Sequence, residues 1–120
     1  MLVMLMALLT ITSMNVHYGY SSVTVAINYS LNDIQRLGVI LFGAGDIEHD
    51  VTALFESTNY TLVRVDDHHA VFRFPVKEFE GYVYFPGVKL KNNVTMTLEF
   101  PNNVTLNITG DEIPAVYLFR

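Results

Sequence analysis

The chain has 120 residues, a net charge of −5 and no cysteine, with 51% apolar and only 16% charged residues. Such a composition excludes a disordered chain, which needs low hydrophobicity and high charge, and it excludes thiolate catalysis, disulfides and cysteine-based metal sites. With no Lys/Arg cluster in an acidic chain there is no electrostatic footprint for nucleic acid; the length suits one domain with its own core.

Met1 to Met14, MLVMLMALLTITSM, is uncharged and apolar at 11 of 14 positions. A membrane-spanning helix needs about 20 such residues. The length fits the apolar core of a signal peptide, with Ser13 as a small residue at a cleavage point, but the basic stretch that should precede it is missing. Three roles stay open: a signal segment, a membrane anchor (the one route to membrane contact), or a retained segment buried in its own domain or a neighbour's. The expected organisation is therefore an apolar segment over 1–14 and a single β domain over 15–120.

From Ser22 to Leu31 apolar and polar residues alternate, as in a strand with one buried face. Val23, Val25, Ile27, Tyr29 and Leu31 take one phase, and Thr24, Ala26, Asn28 and Ser30 the other. Leu37–Phe42 is a continuous apolar run and reads as a strand buried on both faces. Gly43, Ala44 and Gly45 follow as a loop that completes no phosphate-binding motif. Asp50 is placed to cap a short helix over 51–57, with Val51, Leu54 and Phe55 on one face. Further strands are expected at Tyr60–Val65, His69–Phe74, Gly81–Phe85, Val94–Phe100, Val104–Thr109 and Ala115–Phe119. The breakers between them are Asp66 and Asp67, Pro75, Pro86 and Gly87, Pro101 and Asn102, and Gly110 and Asp111. Strands at intervals of about ten residues predict an all-β, single-domain β-sandwich, immunoglobulin-like or jelly-roll-like.

Five Asn-x-Ser/Thr triplets begin at Asn28, Asn59, Asn93, Asn103 and Asn107. Chance placement of this chain's Asn, Ser and Thr would give about one such acceptor site. The excess predicts an N-glycosylated extracellular or cell-surface protein. Asn28, Asn93, Asn103 and Asn107 fall on the polar phase of their strands, so sugars would cover one sheet face and supply the solubility that sparse charge does not. The competing explanation is that Asn and Thr both favour strand ends and turns. In composition alone the chain resembles archaeal cell-surface proteins; no motif ties it to a family.

Two stretches concentrate metal-binding side chains. Asp46, Glu48, His49 and Asp50 would meet Asp66, Asp67, His68 and His69 if their loops shared one end of the sheet. Oxygen ligands suit Ca²⁺, and His with carboxylate admits Zn²⁺. The plainer reading is a helix start and a hairpin turn, where Asp bonds its own backbone. No cofactor beyond N-linked glycans is expected. Phe72, Phe74, Phe79, Tyr82, Tyr84 and Phe85 crowd the middle of the chain; core packing is the expected role, and an exposed sugar-binding patch the other.

Two functions are carried forward, neither of them enzymatic. The first is a structural subunit of a glycosylated surface filament or coat, in which a donated N-terminal strand completes a neighbouring copy's sheet. The donor residues would be Leu2, Met4, Met6 and Leu8, or Val23, Val25, Ile27, Tyr29 and Leu31. The alternative is an exported monomeric module that binds carbohydrate or protein. A retained, partner-buried N-terminal segment marks the first, and an exposed aromatic patch the second. A third, small metal-dependent enzyme would need the two acidic loops to converge.

Overall fold

The computed structural model describes residues 10–32, 36–37, 45–56 and 59–120. Nine strands, an eight-residue α-helix and a short 3-10 turn at Pro101–Asn103 are the named elements of this part. The strands are β1 Thr10–Tyr18, β2 Ser22–Ser30, β3 Thr61–Val65, β4 His69–Pro75, β5 Lys77–Phe79, β6 Tyr82–Phe85, β7 Val88–Phe100, β8 Val104–Ile113 and β9 Val116–Phe119, and the helix α1 is Gly45–Thr52. They form a six-stranded sheet in the order β3-β4-β2-β1-β7-β8 and a three-stranded sheet in the order β5-β6-β9. The two sheets pack as a β-sandwich, so the all-β fold class read from alternation is the one observed.

Alternation sets which face is buried. Met14, Val16 and Tyr18 from β1, Val23, Val25, Ile27 and Tyr29 from β2, Ala70, Phe72 and Phe74 from β4, and Met96 and Leu98 from β7 form the inner face of the large sheet. A buried Leu, Phe or Val side chain is worth about 1.5–3 kcal/mol relative to exposure, so this face is the main driving force for folding. The small sheet closes the sandwich with Phe85, which meets Tyr18 and Phe74 edge-on. The outer face of the large sheet is polar. Register places Asn15 beside Thr97, Thr97 beside Asn107, and Thr95 beside Thr109.

Seven expected strands meet observed ones. The first begins on the expected residue: β2 starts at Ser22. The breaker placed at Gly110 and Asp111 lies inside β8, which runs on to Ile113. Two strands, β1 and β5, were not expected. The boundary drawn between residues 14 and 15 falls within β1, because Thr10–Tyr18 pairs with β2 along its length. Its inward Met14, Val16 and Tyr18 alternate with polar Ser13, Asn15 and His17, a pattern masked by the apolar run before it. Arg36 and Leu37 are helical, and Leu37 is exposed, unlike the start of a buried strand. Residues 38–42 of that expected strand lie outside the described residues.

The helix starts six residues before the expected 51–57 and ends within it, over Gly45–Thr52. Tertiary pairing explains the shift. Phe55 forms an antiparallel bridge with Leu90, flanked by Glu56 N–H donating to the Lys89 carbonyl at 3.1 Å and Lys91 N–H to Leu54 at 2.9 Å. Backbone committed to β7 cannot continue a helix. At the other end of β7, Asn102 and Asn103 turn the chain with φ of 72° and 63°. Asn is among the non-Gly residues that tolerate this left-handed region. Gly87 also has positive φ, and a Cβ there would sit 2.8 Å from the Ile113 carbonyl.

Candidate functional site: an aromatic sheet face

The small sheet buries one face and exposes the other. Its register sets Phe79 beside Tyr82 and Tyr82 beside Phe119 in one row, and Lys77 beside Tyr84 and Tyr84 beside Tyr117 in the next. Since side chains alternate along a strand, these six residues share the outward face. Five are aromatic. Phe119 is 75% exposed, Tyr117 59% and Phe79 46%, while Tyr82 and Tyr84 on the central strand are half-buried between them.

The rings support one another. Phe79 stacks on Tyr82 with centroids 4.9 Å apart and planes 14° from parallel. Tyr84 meets Tyr117 at 4.7 Å, and Tyr82 lies 5.9 Å from Tyr117 and 6.0 Å from Phe119. These separations lie in the range where aromatic pairs attract. Tyr20, from the β1–β2 turn, donates its hydroxyl to the Phe119 carbonyl at 3.5 Å. Glu78, opposite Val83 on the other phase of the sheet, pairs with Arg120 at 3.6 Å. Lys77 is the one charged residue in the two rows.

Phe72, Phe74 and Phe85 of the mid-chain aromatics are buried, as core packing requires. Phe79, Tyr82 and Tyr84 are not core residues. Sequence reasoning missed Tyr117 and Phe119 as their partners. The available signal was the alternation of Tyr117 and Phe119 with Val116 and Leu118, which marks a two-faced strand without saying which face is inward.

The acceptor asparagines take different settings. Asn59, Asn93, Asn103 and Asn107 are exposed. Asn93 lies in the irregular stretch of β7 between Lys89 and Val94, Asn103 in the β7–β8 turn, and Asn107 on β8. Asn107 Oδ1 accepts from the Thr97 hydroxyl at 2.8 Å. Asn28 is half-buried on a central strand, and its Nδ2, the atom a glycan joins, donates to Ser13 Oγ at 3.0 Å.

The donor-strand residues of β2 are internal. Val23, Val25 and Ile27 are fully buried, Tyr29 and Leu31 nearly so, and β2 is paired on both sides, with β1 and β4. In this chain the strand's backbone bonds and apolar face are spent in its own sheet. Leu2, Met4, Met6 and Leu8 lie outside the described residues.

Among the metal candidates, Asp66, Asp67 and His68 offer ligand atoms within 4.8 Å of one another. The group is the β3–β4 turn. Asp66 N–H donates to the His69 carbonyl at 2.9 Å, Asp66 Oδ1 accepts the His68 N–H at 3.0 Å, and Oδ2 accepts from Arg64 at 3.1 Å. Burial pushes the Asp66 carboxyl up, but the His68 amide, Arg64 and the His68 ring outweigh it and hold it below the usual carboxylate value. From below, the Tyr29 hydroxyl donates to the Asp66 carbonyl and lies 3.2 Å from that of His69. Burial, aided by the Asp66 charge and partly offset by these hydrogen bonds, pushes the phenol up to about 12. Glu48 and His49 are exposed on α1 and do not join the turn; the side chains of Asp46 and Asp50 lie outside the described residues. The arrangement is that of a turn that satisfies its own polar groups.

Surface grooves among the described residues include two open ones. One is lined by Ile11, Thr12, Ser13 and residues 92–95 and holds no titratable side chain apart from the hydroxyls; in the other Arg73 is the charged residue, beside Ser21, Ser22 and Asn59. Against known proteins, the chain matches no family model, no curated protein and no solved structure.

Proposed function

We propose that this chain is an exported, N-glycosylated β-sandwich module that holds neutral carbohydrate on the aromatic face of its small sheet. The observation that carries the reading is the two rows of side chains, with five rings and three tyrosine hydroxyls on the outward face of one sheet. Ring faces are electron-rich and attract the polarised C–H bonds of a sugar, while Tyr hydroxyls both donate and accept hydrogen bonds. A contiguous exposed apolar patch marks a binding surface more often than chance.

Size and charge favour a sugar over other partners. A stable protein interface takes roughly 20–30 residues a side, and this face has six. The chain's net charge of −5 works against anionic polymers. The test is co-sedimentation of the full glycosylated chain with insoluble cellulose, chitin and mannan. Retention on one of them, released by its soluble oligosaccharide, is the expected result. No retention on any, with capture of a protein partner through the same face, would replace carbohydrate by protein.

The surface-filament reading rests on Met1–Leu9 alone as donor, since β2 is an internal strand. It calls for that segment to be retained in the native protein and buried against another copy.

A further inference from the structure

We infer that glycans on Asn103 and Asn107 guard the β8 edge against pairing with a second copy of this chain, an inference that rests on the export reading above. β8 is the last strand of the large sheet, and among the described residues nothing pairs with its outer side. From Val104 to Gly110 it matches β7 residue for residue, with no bulge. Such an edge offers a row of unpaired N–H and C=O groups to any incoming strand. Its apolar side is open as well: Val104 is 54% exposed and Leu106 53%.

The opposite edge shows what residues 104–110 lack; the charges of β8, Asp111 and Glu112, stand beyond them. β3 is five residues long, is bulged between Leu62 and Arg64, and carries the Arg64 charge. Short length, a bulge and a charge are the usual protections of an edge strand. Residues 104–110 of β8 contain no Lys, Arg, Pro or bulge. They do carry one acceptor asparagine, with a second just before them. Asn107 stands mid-strand on the polar face, and Asn103 stands at the turn beside Val104. A glycan at each crowds the path by which a strand would approach.

The strand a bare edge would take is its own copy. Antiparallel pairing about a two-fold axis at Asn107 sets Leu106 against Ile108 twice and Thr105 against Thr109. The second contact repeats the Thr-to-Thr pairing that β8 already makes with β7, where the Thr95 and Thr109 hydroxyls are 2.9 Å apart.

The experiment compares the full chain from a glycosylating host with the same chain from a host without N-glycosylation, by sedimentation at matched concentrations. The glycosylated chain is expected to be monomeric and the bare chain dimeric. Leu106→Lys, or Val104→Lys if the first misfolds, is expected to weaken the bare dimer at least about tenfold. In the glycosylating host, Thr105→Ala with Asn107→Gln should behave as the bare chain does. A bare chain that stays monomeric, or a dimer indifferent to both lysines, overturns the inference and leaves the export reading standing. Native protein without added mass at either asparagine overturns both.

Discussion

Tyr84 and Tyr117 face each other across β6 and β9 with ring centroids 4.7 Å apart and planes 34° from parallel. Neither ring enters the core. Truncating an exposed member of this face should therefore leave the fold intact. Tyr117→Ala and Phe119→Ala are each expected to cost no more than about 1 kcal/mol, the scale of a cross-strand aromatic pair. Phe85→Ala, on the buried side of the same sheet, removes contacts to Tyr18 and Phe74 and should cost about 3–5 kcal/mol. Urea unfolding of the three variants checks the contrast.

Val25 is fully buried on a strand paired on both sides. Val25→Asp would bury an unpaired carboxylate, and Ile27→Asp the same. Either should abolish folding or cost more than about 4 kcal/mol. The measurement is far-ultraviolet circular dichroism with gel filtration. A folded Val25→Asp monomer would mean that β2 can leave this sheet, and would restore it as a donor strand.

Tyr29 gives a dependence on alkaline pH. Its phenol titrates near 10 when unfolded and at about 12 when folded, because burial favours the neutral form. The folded state thus binds the proton more tightly, and this stabilisation is complete below pH 10 and lost as pH rises toward 12. Tyr18 is displaced in the same direction by its burial. Tyr29→Phe should flatten the fall in stability above pH 10 and cost about 1–3 kcal/mol at neutral pH through the hydrogen bond it removes from the Asp66 carbonyl. Thermal unfolding from pH 7 to 11 reads both effects.

The Asp66 turn should behave as structure. Asp66→Ala removes the acceptor for the His68 N–H and for Arg64 and should cost about 1 kcal/mol. Adding Ca²⁺, Zn²⁺ or a chelator should leave the thermal midpoint of the native chain in place. A midpoint that rises with one cation would turn the turn into a metal site.

Alternation made most of the sandwich legible, since a period of two states both strand and buried face. Where it ran out, the reason was local. Thr10–Tyr18 was hidden because the apolar run before it resembles an export signal. The helix was misplaced because Phe55 is drawn into a bridge with Leu90, a contact 35 residues away in the chain that no local propensity encodes. The aromatic face was half visible: β6 alternates Tyr82 and Tyr84 with Val83 and Phe85, all apolar, so periodicity cannot say which pair faces out. Only the pairing of β6 with β9 brings Tyr117 and Phe119 to the same side.

The most direct measurement is retention of the glycosylated Tyr117→Ala/Phe119→Ala chain on the polysaccharide that holds the native chain, beside Leu106→Lys as a folded control. The account expects retention to fall at least about tenfold in the aromatic double variant and to persist in the control. Equal retention of all three chains would contradict a carbohydrate site on the small sheet.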